Sequence, residues 1–309
     1  MTLSTSPISN AIVSWKALDP RLSEPLESMQ MYQKSWDLPL AKLRLTDLIA
    51  DASEPLCKGR LLAVSSPKAG AWLNAVPVCS LGLKLDNDSL RIAVALRLGV
   101  QIAMPHTCIC GTNVERGSTH GLDCRKGGGR HVRHAAINDI VHRALQAARV
   151  PSHIEPTGLS RDDGKRPDGA TIVPFNKGKC LVWDVTVVNT LAASHITSAA
   201  SQAGAPSETA EGKKHRKYAG LSEQYIFTPV AVETLGSWGP EANTFISDLG
   251  RRLAVATGEP RATSFLRQKI GIAVQRGNAL CIKQSLPNEA GLNELPSLLS
   301  LSLLPFISF

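Results

Sequence analysis

The sequence lacks the features that mark membrane, secreted and disulfide-stabilised proteins. No apolar run reaches the roughly 20 residues that span a bilayer, since the apolar end at residues 295–309 measures only about 15. The N-terminus has no charged segment followed by an apolar core, so no signal peptide is predicted. The seven cysteines are odd in number and irregularly spaced, which predicts reduced thiols, a nuclear or cytoplasmic location and no membrane partner.

Acidic residues are also in the minority. The 309 residues include 34 Lys and Arg against 26 Asp and Glu, which gives a formal net charge of +8 at pH 7. A basic chain suits a polyanionic partner, and we predict DNA, with RNA as a second candidate. The hydrophobic share of 43% excludes a disordered chain and supports a full core, divided by length into about two units.

The chain does contain a β-branched run with one charge at its centre. Residues 181–188 (LVWDVTVV) alternate in the manner of a strand and are long enough to lie centrally in a sheet. Asp184 is costly to bury there unless a cation or hydrogen-bond donors compensate it. We interpret Asp184 as a site residue, because buried ionisable groups concentrate at functional sites; the alternative is a strand carboxylate satisfied by its neighbours.

A second carboxylate precedes this strand. The turn RPDG at residues 166–169 places Asp168 before a strand-like run at residues 170–175, and residues 176–179 (NKGK) predict a hairpin turn towards Asp184. Two carboxylates on neighbouring strands can converge on a hard cation such as Mg²⁺, with Glu155 of a predicted edge strand as a candidate third ligand. Asp168 is equally compatible with a simple turn-forming role.

A basic run follows the two acids. Residues 213–218 (KKHRKY) lie on a predicted helix that continues to about residue 225, and Lys214 and Lys217 share one of its faces because they stand three residues apart. Two acids followed by such a lysine predict a metal-dependent nuclease.

Three cysteines and a histidine fall close together at residues 108–124. Cys108, Cys110, His120 and Cys124 can close a tetrahedral Zn²⁺ site, because this ion prefers sulfur and nitrogen ligands. His106 is a spare ligand of lower rank. We predict a structural zinc knuckle, and reduced, unliganded cysteines are the alternative.

A basic segment comes immediately after the knuckle. Residues 125–134 (RKGGGRHVRH) contain no acid, their glycines let backbone N–H groups approach phosphate, and arginine pairs with phosphate bidentately. The alternative is a solvated basic loop. The predicted nucleic-acid-binding residues are Arg125, Lys126, Arg130, Arg133 and His134.

Apolar periodicity predicts the remaining elements. Residues 1–55 are expected to be mainly helical, with a break at Pro39, and Trp72 is expected in the core. A further strand is predicted at residues 226–233. Other helices are predicted at residues 136–148, 241–253 and 263–275.

Taken in order, these motifs resemble one known family. The chain is similar, over roughly residues 105–225, to the restriction-like endonuclease region at the C-terminal end of site-specific LINE-type retrotransposon polyproteins. Each motif is weak by itself, and the order and spacing carry the resemblance. The motifs are the Cys-Cys-His-Cys knuckle, Arg133-His134, Glu155-Pro156, Arg166-Pro167-Asp168, Asp184-Val185-Thr186 and Lys214-x-x-Lys217-Tyr218.

The resemblance implies a PD-(D/E)XK-type α/β core, a restriction-endonuclease-like mixed sheet flanked by helices. Such an enzyme nicks target DNA so that the exposed 3′ end primes reverse transcription. Asp168 and Asp184 would hold Mg²⁺, and Lys214 or Lys217 would be the catalytic lysine. In many such nucleases the lysine lies two residues after the second acid, where this chain has Thr186. A lysine from the following helix must then substitute.

The predicted domain division follows from these motifs. We expect a mainly helical region at residues 1–104, the zinc knuckle at 105–130, the nuclease domain at 131–285 and a poorly ordered tail at 286–309. Another departure from the family pattern is local: the Arg-His pair continues with Ala135, where a polar residue is common.

Two other interpretations stay open. The first is a catalytically inactive nucleic-acid-binding module that keeps the knuckle and the basic loop. The second is a relic or fragment of a longer reverse transcriptase polyprotein. No Tyr/Phe-x-Asp-Asp polymerase motif is present, so the chain is not itself a reverse transcriptase.

Overall fold

The structure, a computed structural model, describes residues 7–23, 32–117, 119–159 and 166–286. The chain divides into two units, Met1–Glu54 and Pro55–Phe309. Lys165, which precedes the predicted RPDG turn, lies outside the described residues, as does the predicted tail from residue 287 onwards. No helix in the described part of the chain combines the length and apolarity needed to cross a membrane.

The first unit contains helices α1 (Pro7–Lys16) and α2 (Gln33–Asp51). Trp15 packs edge-on against Trp36 with ring centroids 5.3 Å apart, and its indole N–H donates to the Trp36 carbonyl at 3.1 Å. The predicted break at Pro39 is wrong, because α2 continues through it. No residue of α2 is buried, so the surface can absorb the distortion that a proline causes.

The second unit is built from helices around one principal sheet. Its helices are α3 (Pro55–Ser65), α4 (Asn87–Leu98), α5 (Gly129–Ala147), α6 (Ile196–Ser201), α7 (Ala205–Lys217), α8 (Pro240–Thr257) and α9 (Ala262–Lys283). Its strands are β1 (His106–Thr107), β2 (Asn113–Val114), β3 (Ser152–Ile154), β4 (Gly169–Thr171), β5 (Leu181–Val188) and β6 (Ile226–Glu233).

The principal sheet is mixed, as predicted. Its strand order is β3-β4-β5-β6, with antiparallel pairing up to β5 and parallel pairing between β5 and β6. Parallel neighbours need a long crossover connection, and α6 and α7 supply it. The structure therefore confirms an α/β chain with a mixed sheet flanked by helices.

The main core lies on one face of this sheet. Alternate residues of β5, namely Leu181, Trp183 and Val185, are at most 1% exposed and pack with residues of α5, α8 and α9. Val182 points to the opposite face, where it meets Tyr218 and Phe227. Because side chains alternate along a strand, Asp184 shares this opposite face, and α7 covers it.

A close approach at Gly169 joins β4 to β5. A Cβ atom there would come within 2.0 Å of the Trp183 ring, so glycine is required at this position. The Trp183 indole donates to the Asn138 side chain at 2.7 Å, and the Asn138 amide donates to the Asp168 carbonyl at 3.4 Å. The buried tryptophan thus fixes the strand end that carries Asp168.

The hairpin before β5 differs in part from the prediction. The turn is confirmed, with Lys177 and Gly178 at φ of 47° and 73°. The strand predicted to reach residue 175 ends at Thr171. Its hydroxyl donates to the Val173 carbonyl at 2.8 Å and accepts the Leu181 N–H at 2.9 Å, which replaces the ladder before Pro174.

A side chain of helix α7 caps the N-terminus of α8. Glu211 is 2% exposed, and its carboxylate accepts the backbone N–H groups of Ala242 at 2.9 Å and of Glu241 at 3.2 Å. These donors belong to the first turn of α8, which has no side-chain cap of its own. Burial raises the pKa of Glu211 to about 7, against the smaller opposing effect of the two N–H donors.

We expect Glu211 to make the stability of the protein depend on pH. Its unfolded carboxyl ionises near pH 4.3 and the folded one near 7, so its stabilising contribution is complete below about pH 4 and lost as pH rises through about 7. Relative to Glu211→Gln, the wild-type free energy of unfolding should fall by on the order of 1–3 kcal/mol between about pH 5 and 8. Urea unfolding across this range measures the difference.

Glu208→Gln is the matched control, because Glu208 is an exposed carboxyl on the same helix. Its difference from the wild type should change with pH much less, because the charge of Glu208 is the smallest of the causes that shift the pKa of Glu211. If the difference in free energy of unfolding between Glu211→Gln and the wild type is equally independent of pH, Glu211 does not have a raised pKa in the folded protein.

Candidate active site and metal centre

Asp184 carries a buried charge that two lysines neutralise. The residue is 2% exposed in the middle of β5. The Lys214 ammonium of α7 donates to Asp184 Oδ1, and the Lys217 ammonium lies 3.7 Å from Asp184 Oδ2. The predicted pairing of this carboxylate with lysines three residues apart on one helix face is therefore present.

Asp168 immediately precedes β4, the strand next to that of Asp184. The β4–β5 register pairs Gly169 with Trp183, so continuing it by one residue sets Asp168 opposite Asp184. The backbone N–H of Asp168 donates to the Trp183 carbonyl at 3.0 Å. Its Oδ2 accepts the Val185 N–H at 2.6 Å, which fixes the carboxylate over β5.

His134 of α5 completes this group, although its sequence context placed it among the DNA-binding residues. Its Nε2 lies 3.0 Å from Asp168 Oδ2 and 3.1 Å from the Val185 carbonyl oxygen. Both neighbours are acceptors, so Nε2 carries a hydrogen. The hydrogen bond with Asp168 raises the pKa of His134 above its ordinary value, because the carboxylate favours the imidazolium.

Tyr218 links the lysines to the RPDG turn. It is 2% exposed, its hydroxyl accepts a hydrogen bond from the Lys217 ammonium at 2.6 Å, and it donates to the Arg166 carbonyl at 3.0 Å. The Lys217 ammonium also lies 4.3 Å from the centre of the Tyr218 ring. Tyr218 therefore ties the C-terminal end of α7 to the segment that carries Asp168.

We name Asp168, Asp184, Lys214, Lys217 and His134 the acid–lysine cluster. Glu155, the predicted third ligand, is not brought into it. The Glu155 carboxylate is exposed and pairs with Arg166 at 3.1 Å, and only its backbone N–H reaches the Asp168 carbonyl, at 2.9 Å. In the described part of the chain, the three carboxylates do not form a metal-binding group.

The four predicted zinc ligands do come together. Their ligand atoms all lie within 4.8 Å of one another. The sulfurs of Cys108 and Cys124 are 3.5 Å apart, and Cys110 Sγ lies 3.2 Å from His120 Nε2. Tetrahedral zinc with bonds of about 2.0–2.3 Å places its ligand atoms roughly 3.3–3.8 Å apart. The Cys108–Cys124 separation lies in this range and the Cys110–His120 separation just below it, so the group could hold zinc after small adjustments of its side chains. His106 is not part of the group.

The thiols of this cluster differ in acidity. Hydrogen bonds with Thr112 lower the pKa of Cys110 to about 6, while burial raises the pKa of Cys108 to about 11. Cys110 is thus a ready thiolate ligand at neutral pH. A bound cation would deprotonate the buried Cys108, since metal coordination removes the thiol proton.

The knuckle packs against the rest of the second unit, to which it belongs. A Cβ at Gly121 would meet Ser285 Oγ at 2.9 Å and Ile282 Cα at 3.1 Å, so the knuckle contacts the end of α9. Asp123 accepts the Asn189 side-chain N–H at 2.7 Å, just after β5. The knuckle therefore contacts the segment that directly follows the strand of Asp184.

The basic segment splits into an exposed and a buried part. Arg125, Lys126 and Arg130 are exposed, as a surface that contacts phosphate requires. Arg133 is 2% exposed; its guanidinium donates to Asn278 at 2.7 Å and to the Leu122 carbonyl at 3.3 Å. The prediction that Arg133 contacts DNA is wrong, because this side chain is buried and joins α5 to α9 and to the knuckle.

Sequence reasoning missed the residues that hold the cluster together. Asn138 and Gly169 position Asp168, and their roles require knowing that Trp183 points at both. His134 lies one residue from the buried Arg133, so helical periodicity alone indicates that the two cannot face the same surface.

The comparisons with known proteins do not supply a family. No protein-family model matches the chain, and no curated protein matches it. Function must therefore be argued from the two sites themselves.

We expect the purified protein to contain about one zinc ion per chain, because the knuckle gathers four ligands. Cys108→Ser should lose this zinc, and its melting temperature should drop because structural zinc contributes folding energy. Cys79→Ser, at an exposed cysteine outside the cluster, should keep both. Metal content is measured by inductively coupled plasma mass spectrometry, and zinc retained in Cys108→Ser would refute the site.

Proposed function

We propose that the protein is a Mg²⁺-dependent DNA endonuclease. The observation that carries this proposal is the acid–lysine cluster: Asp168, at the start of β4, lies opposite Asp184 of the antiparallel β5 when the register is continued by one residue, and the Lys214 ammonium donates to Asp184. Two carboxylates from neighbouring strands and a lysine are the donor set with which metal-dependent nucleases cleave phosphodiesters.

Two further observations support this proposal. The mixed sheet flanked by helices is compatible with the restriction-endonuclease-like core that the sequence resemblance implies. Lys214 comes from a helix after the second acid, as the departure at Thr186 requires. We further propose that the chain derives from the C-terminal part of a LINE-type retrotransposon polyprotein and nicks target DNA for integration.

The residues would divide the work as follows. Water adds to the phosphorus and the bond to the 3′ oxygen breaks, which leaves a 3′ hydroxyl and a 5′ phosphate. The Lys214 ammonium stabilises the negative charge that develops on the phosphoryl oxygens or orients the water. His134 and the Val185 N–H hold Asp168 in place, so His134 is a positioning residue.

Asp168 and Asp184 would hold the cation, and Mg²⁺ is commonly bound by one or two carboxylates together with substrate phosphates. The chemistry that the ion supplies when bound is polarisation of the phosphoryl oxygen and a lowered pKa of the attacking water. Asp184 already has lysine partners, so its carboxylate must share its charge between Lys214 and the ion.

The exposed basic residues Arg125, Lys126 and Arg130 would contact the DNA backbone. They follow the knuckle directly, and the knuckle is tied to the strand of Asp184 through the Asp123–Asn189 hydrogen bond. DNA affinity should then fall steeply with salt, because each phosphate contact releases counterions.

A nucleic-acid-binding module without catalysis is the second candidate. The ion pairs of Asp184 favour it, since Lys214 and Lys217 neutralise the buried charge without any metal. In that case the acid–lysine cluster only stabilises the fold. The knuckle and the exposed basic residues would retain the binding function.

We expect the protein to nick supercoiled plasmid with Mg²⁺ and not with Ca²⁺ in its place. Exchange of the divalent ion is preferable to EDTA, which would also strip the knuckle. Asp184→Asn should lower the nicking rate by at least about 100-fold, because a direct ligand matters more than the outer partners that cost 10–100-fold. Lys214→Gln should also abolish most activity.

The matched control is Lys213→Gln, the same substitution at the neighbouring exposed lysine of α7. It should nick at nearly the wild-type rate. Circular dichroism confirms that each variant is folded. Salt-sensitive DNA binding without nicking by the wild type would contradict the nuclease and support the binding module.

A further inference from the structure

A basic cavity lies away from the acid–lysine cluster, at the start of α9. Its volume is about 660 Å³, and it opens between the loop before the 3₁₀ helix Ala71–Asn74 and the first turns of α9. No acidic residue lines it in the described part of the chain. Its polar lining consists of Lys68, Asn74, Thr263, Ser264, Gln268 and two arginines, Arg261 and Arg267.

Arg267 is a buried cation that has no carboxylate partner among the residues described. It is 5% exposed, and its Nη2 donates to Asn243 Oδ1 at 2.7 Å and to Ser247 Oγ at 2.8 Å. Its Nη1 is buried and has no acceptor. The Trp238 ring, 5.4 Å away, compensates only part of the charge.

Other arginines nearby are satisfied differently. Arg261 pairs with Glu259 at 3.0 Å and Arg252 with Asp248 at 2.9 Å. A guanidinium stays charged in proteins, and burying it without an anion is costly. An anion that enters the cavity from solvent would provide the counter-charge that the fold does not provide for Arg267.

The first turn of α9 also favours an anion in this cavity. This helix has 22 residues and no side-chain hydrogen bond that caps its N-terminus. Its first N–H groups and the positive end of its dipole therefore favour an anion. Lys68, at φ of 70°, adds an exposed ammonium at the rim of the cavity.

We propose that this cavity is a phosphate-binding site, in which Arg267, the start of α9 and Lys68 hold one phosphoryl group. Phosphate matches a site with several donors, because its oxygens can accept from a guanidinium, backbone N–H groups and hydroxyls together. The cavity is larger than one phosphate, so the phosphoryl group can belong to a nucleic-acid backbone or to a small phosphorylated molecule. The site does not depend on the proposed nuclease activity.

The test is isothermal titration calorimetry, in which inorganic phosphate is added to the full chain at constant ionic strength. We expect the wild type to bind phosphate saturably even when chloride is present in excess. Binding should become undetectable in Arg267→Gln and several-fold weaker in Lys68→Gln. Lys269→Gln, at an exposed lysine of α9 that does not line the cavity, is the matched control and should bind as the wild type.

Three results would overturn the proposal. They are a wild type that does not bind phosphate at millimolar concentration, a folded Arg267→Gln that binds it unchanged, and a control that loses as much affinity as Lys68→Gln. The Lys68 variant keeps the test valid if Arg267→Gln does not fold, since Lys68 is exposed.

Competition identifies the source of the phosphoryl group. If a single-stranded oligonucleotide displaces phosphate from the wild type but does not bind more weakly to Lys269→Gln, the ligand is a nucleic-acid backbone. If only small phosphorylated molecules displace it, the ligand is one of those. Binding of inorganic phosphate to a folded Asp184→Asn variant should be unchanged, which separates this site from any failure of the nuclease proposal.

Discussion

The buried negative charge of Asp184 is the constraint on which the second unit depends. An ion at the centre of an apolar strand is tolerated only with close partners, and Lys214 and Lys217 of α7 provide them. Helix α7 must therefore lie across β5. Two further contacts hold it there. The Glu211 carboxylate accepts hydrogen bonds from backbone N–H groups in the first turn of α8, and the Tyr218 hydroxyl donates to the Arg166 carbonyl. The same pairs that stabilise the fold bring the candidate catalytic groups together.

The knuckle and α9 form the second support of the site. The close packing at Gly121 joins the knuckle to α9, and the Arg133–Asn278 hydrogen bond joins α5, which carries His134, to the same helix. If the knuckle binds a metal ion, loss of that ion should loosen the packing of α5, the helix whose His134 contacts Asp168. The candidate metal-binding group and the acid–lysine cluster are in this way connected through α5 and α9, although they share no residue.

The residues that local patterns define were predicted well. The alternation around Asp184, the β6 strand and the turn at residues 176–179 depend on neighbours in sequence, and the structure confirms them. The four ligands of the knuckle lie within one short segment, so their spacing sufficed. Patterns failed where long-range contacts decide. Arg133 is buried by its hydrogen bond with Asn278, and His134 contacts Asp168. Glu155 instead pairs with Arg166 at the surface. No property of the sequence around these three residues reveals their partners, which lie at distant positions in the chain or beyond a loop.

We propose that Asp168 and Asp184 together hold a divalent cation. The most direct test is a crystal grown with Mn²⁺, which replaces Mg²⁺ at oxygen ligands and is located by its anomalous scattering. We predict an anomalous peak in contact with both carboxylates, absent from crystals of Asp184→Asn. A wild-type crystal without this peak, in which Lys214 still donates to Asp184, would contradict the account and leave the cluster as a structural ion pair.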